Sequence, residues 1–263
     1  MGSVSYFLWV LLMATYFESV NDYRTDQISD SFSSYAFWQK GSITSKNGAA
    51  SVTQLYAGSF PMPASGNMPI VVFVPNAGVG VMPISQQARN GVFYFNAYGT
   101  NVSSNPPRDA MTYYVYLPSN DPAVTVQARG LFTLWNADGR VVFDSDGSYL
   151  KVIDAFEQAY NAAPLSKTYG VGKVGVVSCK PQWYVNPASS PGGWQEFAGT
   201  VVKCGVDGLP NRVTAGYYPL RWLSTGSQLP NPNDSGNLRR ASSMFTLICD
   251  VTTLDALPYN IVQ

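Results

Sequence analysis

The stretch Gly130–Asp154 constrains the fold most strongly, because it reads as β structure broken by tight turns. Leu131 to Trp135 and Val141 to Asp144 are runs of aromatic, aliphatic and β-branched residues. Between them, Asn136-Ala-Asp-Gly139 supplies the glycine that a hairpin needs at a positive-φ position, and Asp146-Gly147 repeats the signal. Tyr149 to Ile153 then alternates like a strand with one face more buried than the other. These runs predict an antiparallel meander of three adjacent strands, with Gly139 and Gly147 both at positive φ.

A gapless shift of 126 residues (145 − 19) lays Leu134, Trp135, Phe143, Ser145 and Tyr149 over Leu8, Trp9, Phe17, Ser19 and Tyr23, and Asp144 over Glu18. An echo at nearly half the chain length predicts two similar units in tandem. Pro118-Ser-Asn-Asp-Pro122 is rich in turn residues and sets their boundary, giving units 1–123 and 124–263. No segment carries a long apolar period of 3.6 residues. The expected fold class is therefore mainly β, with two tandem antiparallel β-sandwich-like units and little helix.

The remaining segments follow the same rules. Tyr35 to Ser45 and Ser51 to Tyr56 flank Asn47-Gly48 and read as a hairpin. Phe60 to Pro69 holds three prolines and is a loop, whereas Ile70 to Val74 is a buried run. In Gly91–Gly99, Phe93, Phe95 and Ala97 share one face and Val92, Tyr94 and Asn96 the other. Thr112–Leu117, Val174–Lys180, Gln182–Val185 and Met244–Val251 read as strands, and Phe197–Val206 as a hairpin returning through Arg212–Trp222. A brief helical turn is expected only at Tyr160–Ser166. The tail Thr252–Gln263 is expected to dock on a neighbour.

Composition narrows function. Charged residues make up 12% of the chain and balance to zero, against about 25% charged in ordinary globular proteins. A surface so weakly charged predicts cover by partners and a homo-oligomer or multi-copy assembly. Neutrality also argues against nucleic acid, since Arg239-Arg240 is only a local basic doublet. The chain has no histidine, which removes Ser-His-Asp and Cys-His catalysis and histidine metal ligands together. Cys179, Cys204 and Cys249 are too few and too widely spaced for a disulfide framework or zinc site, and read as buried free thiols of a chain assembled in a reducing cytoplasm.

Other motifs resolve into turns and packing. Asp144-Ser-Asp-Gly147, near Asn136 and Asp138, lacks the glycine position and distal glutamate of a calcium loop. Gly170-Val-Gly-Lys173 lacks the first glycine and the Ser or Thr of a phosphate loop, with Lys167 and Val174 standing there instead. Glu196, Asp207 and Asp154 offer carboxylates for acid–base chemistry without a spacing that pairs them. Trp183, Tyr184, Trp194, Tyr217, Tyr218 and Trp222 suit packing or, in a binding module, stacking on sugars. No catalytic residue, metal ligand or cofactor is expected.

Gly130–Asp154, with Trp-Asn-Ala-Asp-Gly, Val-Phe-Asp-Ser and Tyr-Leu-Lys-Val-Ile-Asp in succession, resembles tail-tip and baseplate structural proteins of long-tailed (siphovirus-type) bacteriophages. Asn90–Gly99, Tyr113–Pro118 and Leu247–Asp255 follow in an order similar to that family, and the first repeat departs from it in lacking the Asn-x-x-Gly turn. The resemblance implies a non-enzymatic virion protein, assembled in the bacterial host cytoplasm. It would contact other tail proteins and present loops to the host surface. A receptor- or carbohydrate-binding module is the second expectation.

Ser3 to Phe17 is the most apolar segment and, at about 14 residues, is shorter than the roughly 20 that cross a bilayer as a helix. The repeat makes it two strands, Tyr6–Trp9 and Ala14–Glu18; the alternatives are one continuous buried strand and a signal-like or anchor segment. Val10, Leu11, Leu12 and Met13 then occupy the place of Asn136–Gly139. Four apolar residues at a hairpin tip predict a partner interface there.

Overall fold

The computed structural model describes residues 18–20, 26–29, 34–43, 53–75, 79–101, 111–126, 129–136, 138–159, 162–186, 194–205, 208–224, 243–257 and 261–262. It is mainly β. A two-stranded hairpin, β1 (Glu18–Val20) with β2 (Asp26–Ser29), precedes six strands: β3 (Tyr35–Ile43), β4 (Thr53–Pro61), β5 (Ile70–Val74), β6 (Val79–Arg89), β7 (Val92–Asn101) and β8 (Met111–Pro118). A second hairpin, β9 (Thr133–Trp135) with β10 (Val141–Asp144), precedes β11 (Lys151–Ala159), β12 (Leu165–Thr168), β13 (Val174–Lys180), β14 (Trp183–Asn186), β15 (Trp194–Cys204), β16 (Arg212–Ser224) and β17 (Ser243–Asp250). A 3-10 turn at Leu254–Ala256 and a short β18 (Ile261–Val262) follow.

Two large sheets hold the strands outside these two hairpins. The first has the order β11-β17-β13-β5-β8-β3-β18 and the second β12-β16-β15-β6-β7-β4, with β14 added beside β15. Strands β3–β8 of the first half and β11–β17 of the second thus lie side by side in the same two sheets. They meet where β5 pairs with β13 through Phe73 and Val176, and where β6 pairs with β15 through Val81 and Val202. Counting outward from that junction, the first sheet runs β5, β8, β3 on one side and β13, β17, β11 on the other. The second runs β6, β7, β4 and β15, β16, β12. Leaving β14 aside, the sequence order of the elements is the same on both sides, so the halves repeat one topology about the junction.

The repeat extends to a main-chain detail. After β8, the N–H of Asp121 donates to the carbonyl of Pro118 and that of Val124 to Asp121. After β17, Leu254 donates to Val251 and Leu257 to Leu254. The two double turns lie 133 positions apart (251 − 118). At the same offset Met111 matches Met244 and Val115 matches Ile248, all buried in one core. The 126-residue shift read from sequence does not run through these strands, and Leu8, Trp9, Phe17 and Tyr23 lie outside the described residues.

Alternation decides the packing. Val71 and Phe73 (β5), Phe93, Phe95 and Ala97 (β7), Tyr113 and Val115 (β8), Val174 and Val176 (β13), and Val202 and Val213 face the space between the sheets. The opposite face of the first sheet buries Val72, Tyr114, Tyr116, Cys249 and Val251, with Phe37 and Leu150 packed against them. That second core exists because the sheet curls. The N–H of Phe37 donates to Ser148 (2.7 Å) and that of Leu150 to Tyr35 (2.8 Å), yet the next residue, Lys151, pairs with Asp250 on β17. In a flat sheet β3 and β11 would stand about 24 Å apart, at about 4.8 Å per strand step, whereas consecutive Cα atoms are separated by about 3.8 Å. The six strands β3-β8-β5-β13-β17-β11 therefore close into a ring at Ser148–Leu150.

The C-terminal turn covers one end of this ring. Buried Lys40 donates to the carbonyls of Asp255 (3.0 Å) and Leu257 (3.3 Å) and lies over the Tyr114 ring. Asp255 accepts from Tyr114 (2.6 Å) and Lys173 (2.7 Å). Partial burial opposes its ionisation, but these partners outweigh burial and hold its carboxyl below the usual range.

Several expectations change. The third strand of the meander does not pair with β10: Ser148–Leu150 joins β3 and Lys151 onward joins β17. Tyr35–Ile43 and Thr53–Pro61 are not a hairpin either, since β3 lies in the first sheet and β4 pairs with β7 in the second; Asn47-Gly48 lies outside the described residues. The helical turn expected at Tyr160–Ser166 is replaced from Leu165 by β12. Of the tail, Asp255 and Leu257 accept from Lys40 of the chain's own ring, and β18 pairs in parallel with β3. Cys204 and Cys249 are buried, with burial raising both thiols to about 12, but Cys179 is exposed.

Gly41 gives a direct test of the core between the sheets. A Cβ there would lie 2.3 Å from the Tyr113 ring, so Gly41→Ala should destabilise by about 1–3 kcal/mol in urea melts. Gly66→Ala meets no atom within 4 Å, but its φ of +75° strains an L residue and should cost about 1 kcal/mol.

Candidate interaction surface

Among the described residues, the hairpin β9–β10 and the residues leading into it carry the two most exposed large apolar side chains, Leu131 and Trp135. Leu131 is fully exposed, Trp135 is 54% exposed and Phe132 40%. Phe132 leans on Phe143 (ring centroids 6.2 Å apart), and Phe143 in turn stacks on Tyr149 at 5.1 Å. Phe132 therefore rests on an aromatic pair anchored beside the ring closure, while Leu131 stands clear in solvent.

One carboxylate organises this hairpin. Asp144 is fully buried. Its Oδ2 accepts from the Thr133 hydroxyl (2.7 Å) and the Arg129 N–H (3.0 Å), and its Oδ1 from the N–H groups of Gly130 (2.9 Å) and Asp146 (3.0 Å). The hydrogen bond from Thr133, with those from the main chain, holds the carboxyl below the usual aspartate range although burial opposes this. The Asp144 N–H donates to the Tyr149 hydroxyl at 2.7 Å, tying the hairpin to the aromatic pair. A Cβ on Gly130 would collide with Ser145 and Asp144, so the chain approaches the carboxylate closely only because that residue is glycine.

The turn is set by Asn136, whose Oδ1 accepts from the N–H groups of Asp138 (3.1 Å) and Arg140 (2.9 Å). Gly139 has φ 74° as expected. Gly147 does not have positive φ; a Cβ there would lie 2.3 Å from the Tyr149 ring, so its glycine is required by packing. A second buried aspartate, Asp121, accepts from Ser65, Asn67 (2.9 Å) and the N–H of Ala123 (2.8 Å), fixing the loop before β5 against the turn after β8. Arg140 reaches the neighbouring Asn120 carbonyl at 3.5 Å. Met68, beside Asn67, is 51% exposed.

The carboxylates considered for chemistry are placed differently. Asp144 spends its oxygens on four donors of its own hairpin, so its geometry is that of a structural cap. Asp154 accepts from Lys167 (2.8 Å) and Tyr169 (2.8 Å), which hold it ionised and make it a poor proton donor. Glu196 lies on β15 opposite Trp222, and Asp207 lies outside the described residues. Lys173 is committed to Asp255; beside it runs a shallow cleft of about 200 Å³ lined by Val74, Thr112, Cys204 and Pro210. Trp183 and Tyr184 lie on β14, Trp194 on β15, and Tyr217, Tyr218 and Trp222 on β16. Val10, Leu11, Leu12 and Met13, the interface residues expected from sequence, lie outside the described residues. The exposure of Leu131, Phe132 and Trp135 was missed because their run reads equally well as a strand with a covered face. No family model, curated protein or solved structure matches the chain.

Asp144→Ala should loosen the hairpin without unfolding the sheets. Trypsin should then cut the variant faster after Arg129 and Arg140, with little change in the main melting transition. Because the folded carboxyl titrates below its unfolded value, its contribution is present above about pH 4 and lost as pH falls through the folded value. The wild-type hairpin should therefore become labile below about pH 4, probed with an acid protease, while the variant shows no such step.

Proposed function

We propose that this protein is a structural component of the tail tip or baseplate of a long-tailed bacteriophage, where it forms interfaces with neighbouring tail subunits. The observation that carries the reading is the pinned hairpin presenting Leu131, Phe132 and Trp135. A pinned main chain that presents exposed apolar side chains suits contact with another protein, because little backbone freedom is lost when they are covered. The low charge of the chain agrees, as does the resemblance of Gly130–Asp154. In this reading the protein acts without catalysis, cofactor or nucleic acid, is present in several copies per virion, and is assembled in the bacterial cytoplasm. The Val10–Met13 segment would be a further contact.

The exposed Trp135 ring favours a second reading, a receptor- or carbohydrate-binding module that stacks a sugar on the same hairpin. Antibody against the purified chain should label the distal tail of particles from the phage that encodes it. Absence of the chain from purified particles would overturn the proposal. Leu131→Ser with Trp135→Ser should change the stability of the isolated protein by no more than about 0.5 kcal/mol while reducing incorporation into particles. Binding to a glycan array that this double variant abolishes, with incorporation unchanged, would favour the second reading.

A further inference from the structure

The second sheet ends in two unlike edges. On the β12 edge, Ser166, Lys167 and Thr168 are exposed, the strand has four residues, and Lys167 is ion-paired with Asp154. Short length and a charged side chain are the usual protection of an edge against pairing with another chain. The β4 edge has neither. Its nine residues, Thr53-Gln-Leu-Tyr-Ala-Gly-Ser-Phe-Pro61, include no charged side chain. Only Pro61, at its end, interrupts the donors.

Inward, β4 is fixed. Tyr56 and Phe60 are buried in the core, and Gly58 lets the Phe95 ring and Ile43 approach the strand. Every residue of β4 is in register with β7, from Thr53 opposite Thr100 to Pro61 opposite Val92. Among the described residues no strand pairs with its other edge. The first sheet differs, since its β3 edge is occupied by Ser148–Leu150 and β18.

We propose that the outer edge of β4, which no described strand covers, pairs antiparallel with β4 of a second copy of this chain, joining the second sheets of the two copies. The occupant follows from two features. An uncharged strand can face itself about a two-fold axis without opposing like charges. The same three-stranded ribbon, β4-β7-β6, already accepts a topologically equivalent ribbon at its β6 edge, through β6–β15; a second copy extends that edge-to-edge arrangement on the other side. The pairing requires nothing of the β9–β10 hairpin or of a phage particle, so it stands or falls separately from the proposed function.

Light scattering coupled to size exclusion tests it on the full chain, with Ala57 and Ser59 as the positions to change. Both are half-buried, and they alternate with the buried Tyr56, Gly58 and Phe60, so they lie on the sheet face turned from the core. The wild type should run at twice the chain mass. Ala57→Lys with Ser59→Lys, and Ala57→Glu with Ser59→Glu, should each halve that mass, and mixing the two variants should restore it. Hydrogen exchange on the wild type gives a readout independent of any variant: amides of Thr53–Phe60 should gain protection as concentration rises. A wild type that stays monomeric, charged variants that fold and keep the doubled mass, or β4 amides whose exchange ignores concentration would each overturn the proposal.

Discussion

Two main-chain hydrogen bonds, from Phe37 to Ser148 and from Leu150 to Tyr35, set the shape of this protein. They bring the start of the second repeat to the start of the first and force six strands into a ring. A sheet left flat would expose one face of β5, β8 and β17, and Tyr114, Tyr116, Val72 and Cys249 would meet water. Closure buries that face, and the C-terminal turn covers one end with Leu254 and the Lys40–Asp255 contacts. The second sheet then packs on the outside through Phe60, Phe93 and Phe95, whose rings contact Tyr113 or one another at 4.9–6.4 Å. Because both cores draw on both halves, neither half retains its full set of contacts alone.

The repeat shows how one topology accommodates different chemistry. Leu254 and Asp121 occupy equivalent positions in the double turns after β17 and β8. The leucine is buried against the ring, whereas the aspartate binds Ser65 and Asn67 and fixes a loop. An apolar side chain at that position gives a plug, and a charged one gives a polar clasp. The β9–β10 hairpin depends in the same way on Asp144, whose carboxylate replaces the hydrophobic core that so short a hairpin cannot form.

Much of the strand content was legible in the sequence, since alternation in Val92–Ala97 and the apolar runs Ile70–Val74 and Val174–Val177 report burial directly. Pairing was less legible. Asn-Gly between two runs marks a reversal, but the same local chemistry serves a hairpin within one sheet or a crossing between two, and β3 and β4 are a crossing. Strand β6 gave no signal, because Pro83 interrupts it and Gln86 to Arg89 are exposed. The turn at Gly139 was readable because positive φ has a residue preference, whereas Gly147 is dictated by a ring two residues away. Of the interaction surface only the strands and the turn could be read: which face of a hairpin is left open depends on what the rest of the chain covers.

Ring closure is the claim on which this account rests, and a disulfide trap tests it most directly. Ala36 and Tyr149 are bridge partners flanked by the two closing hydrogen bonds. Such a non-hydrogen-bonded antiparallel pair has Cα atoms about 4.5 Å apart, within the span of a disulfide. In Ala36→Cys with Tyr149→Cys, mild oxidation followed by peptide mapping should find these two positions joined within one chain and the melting temperature raised relative to the reduced form. A folded double variant in which the two thiols stay free under oxidation would contradict closure, and with it the second core.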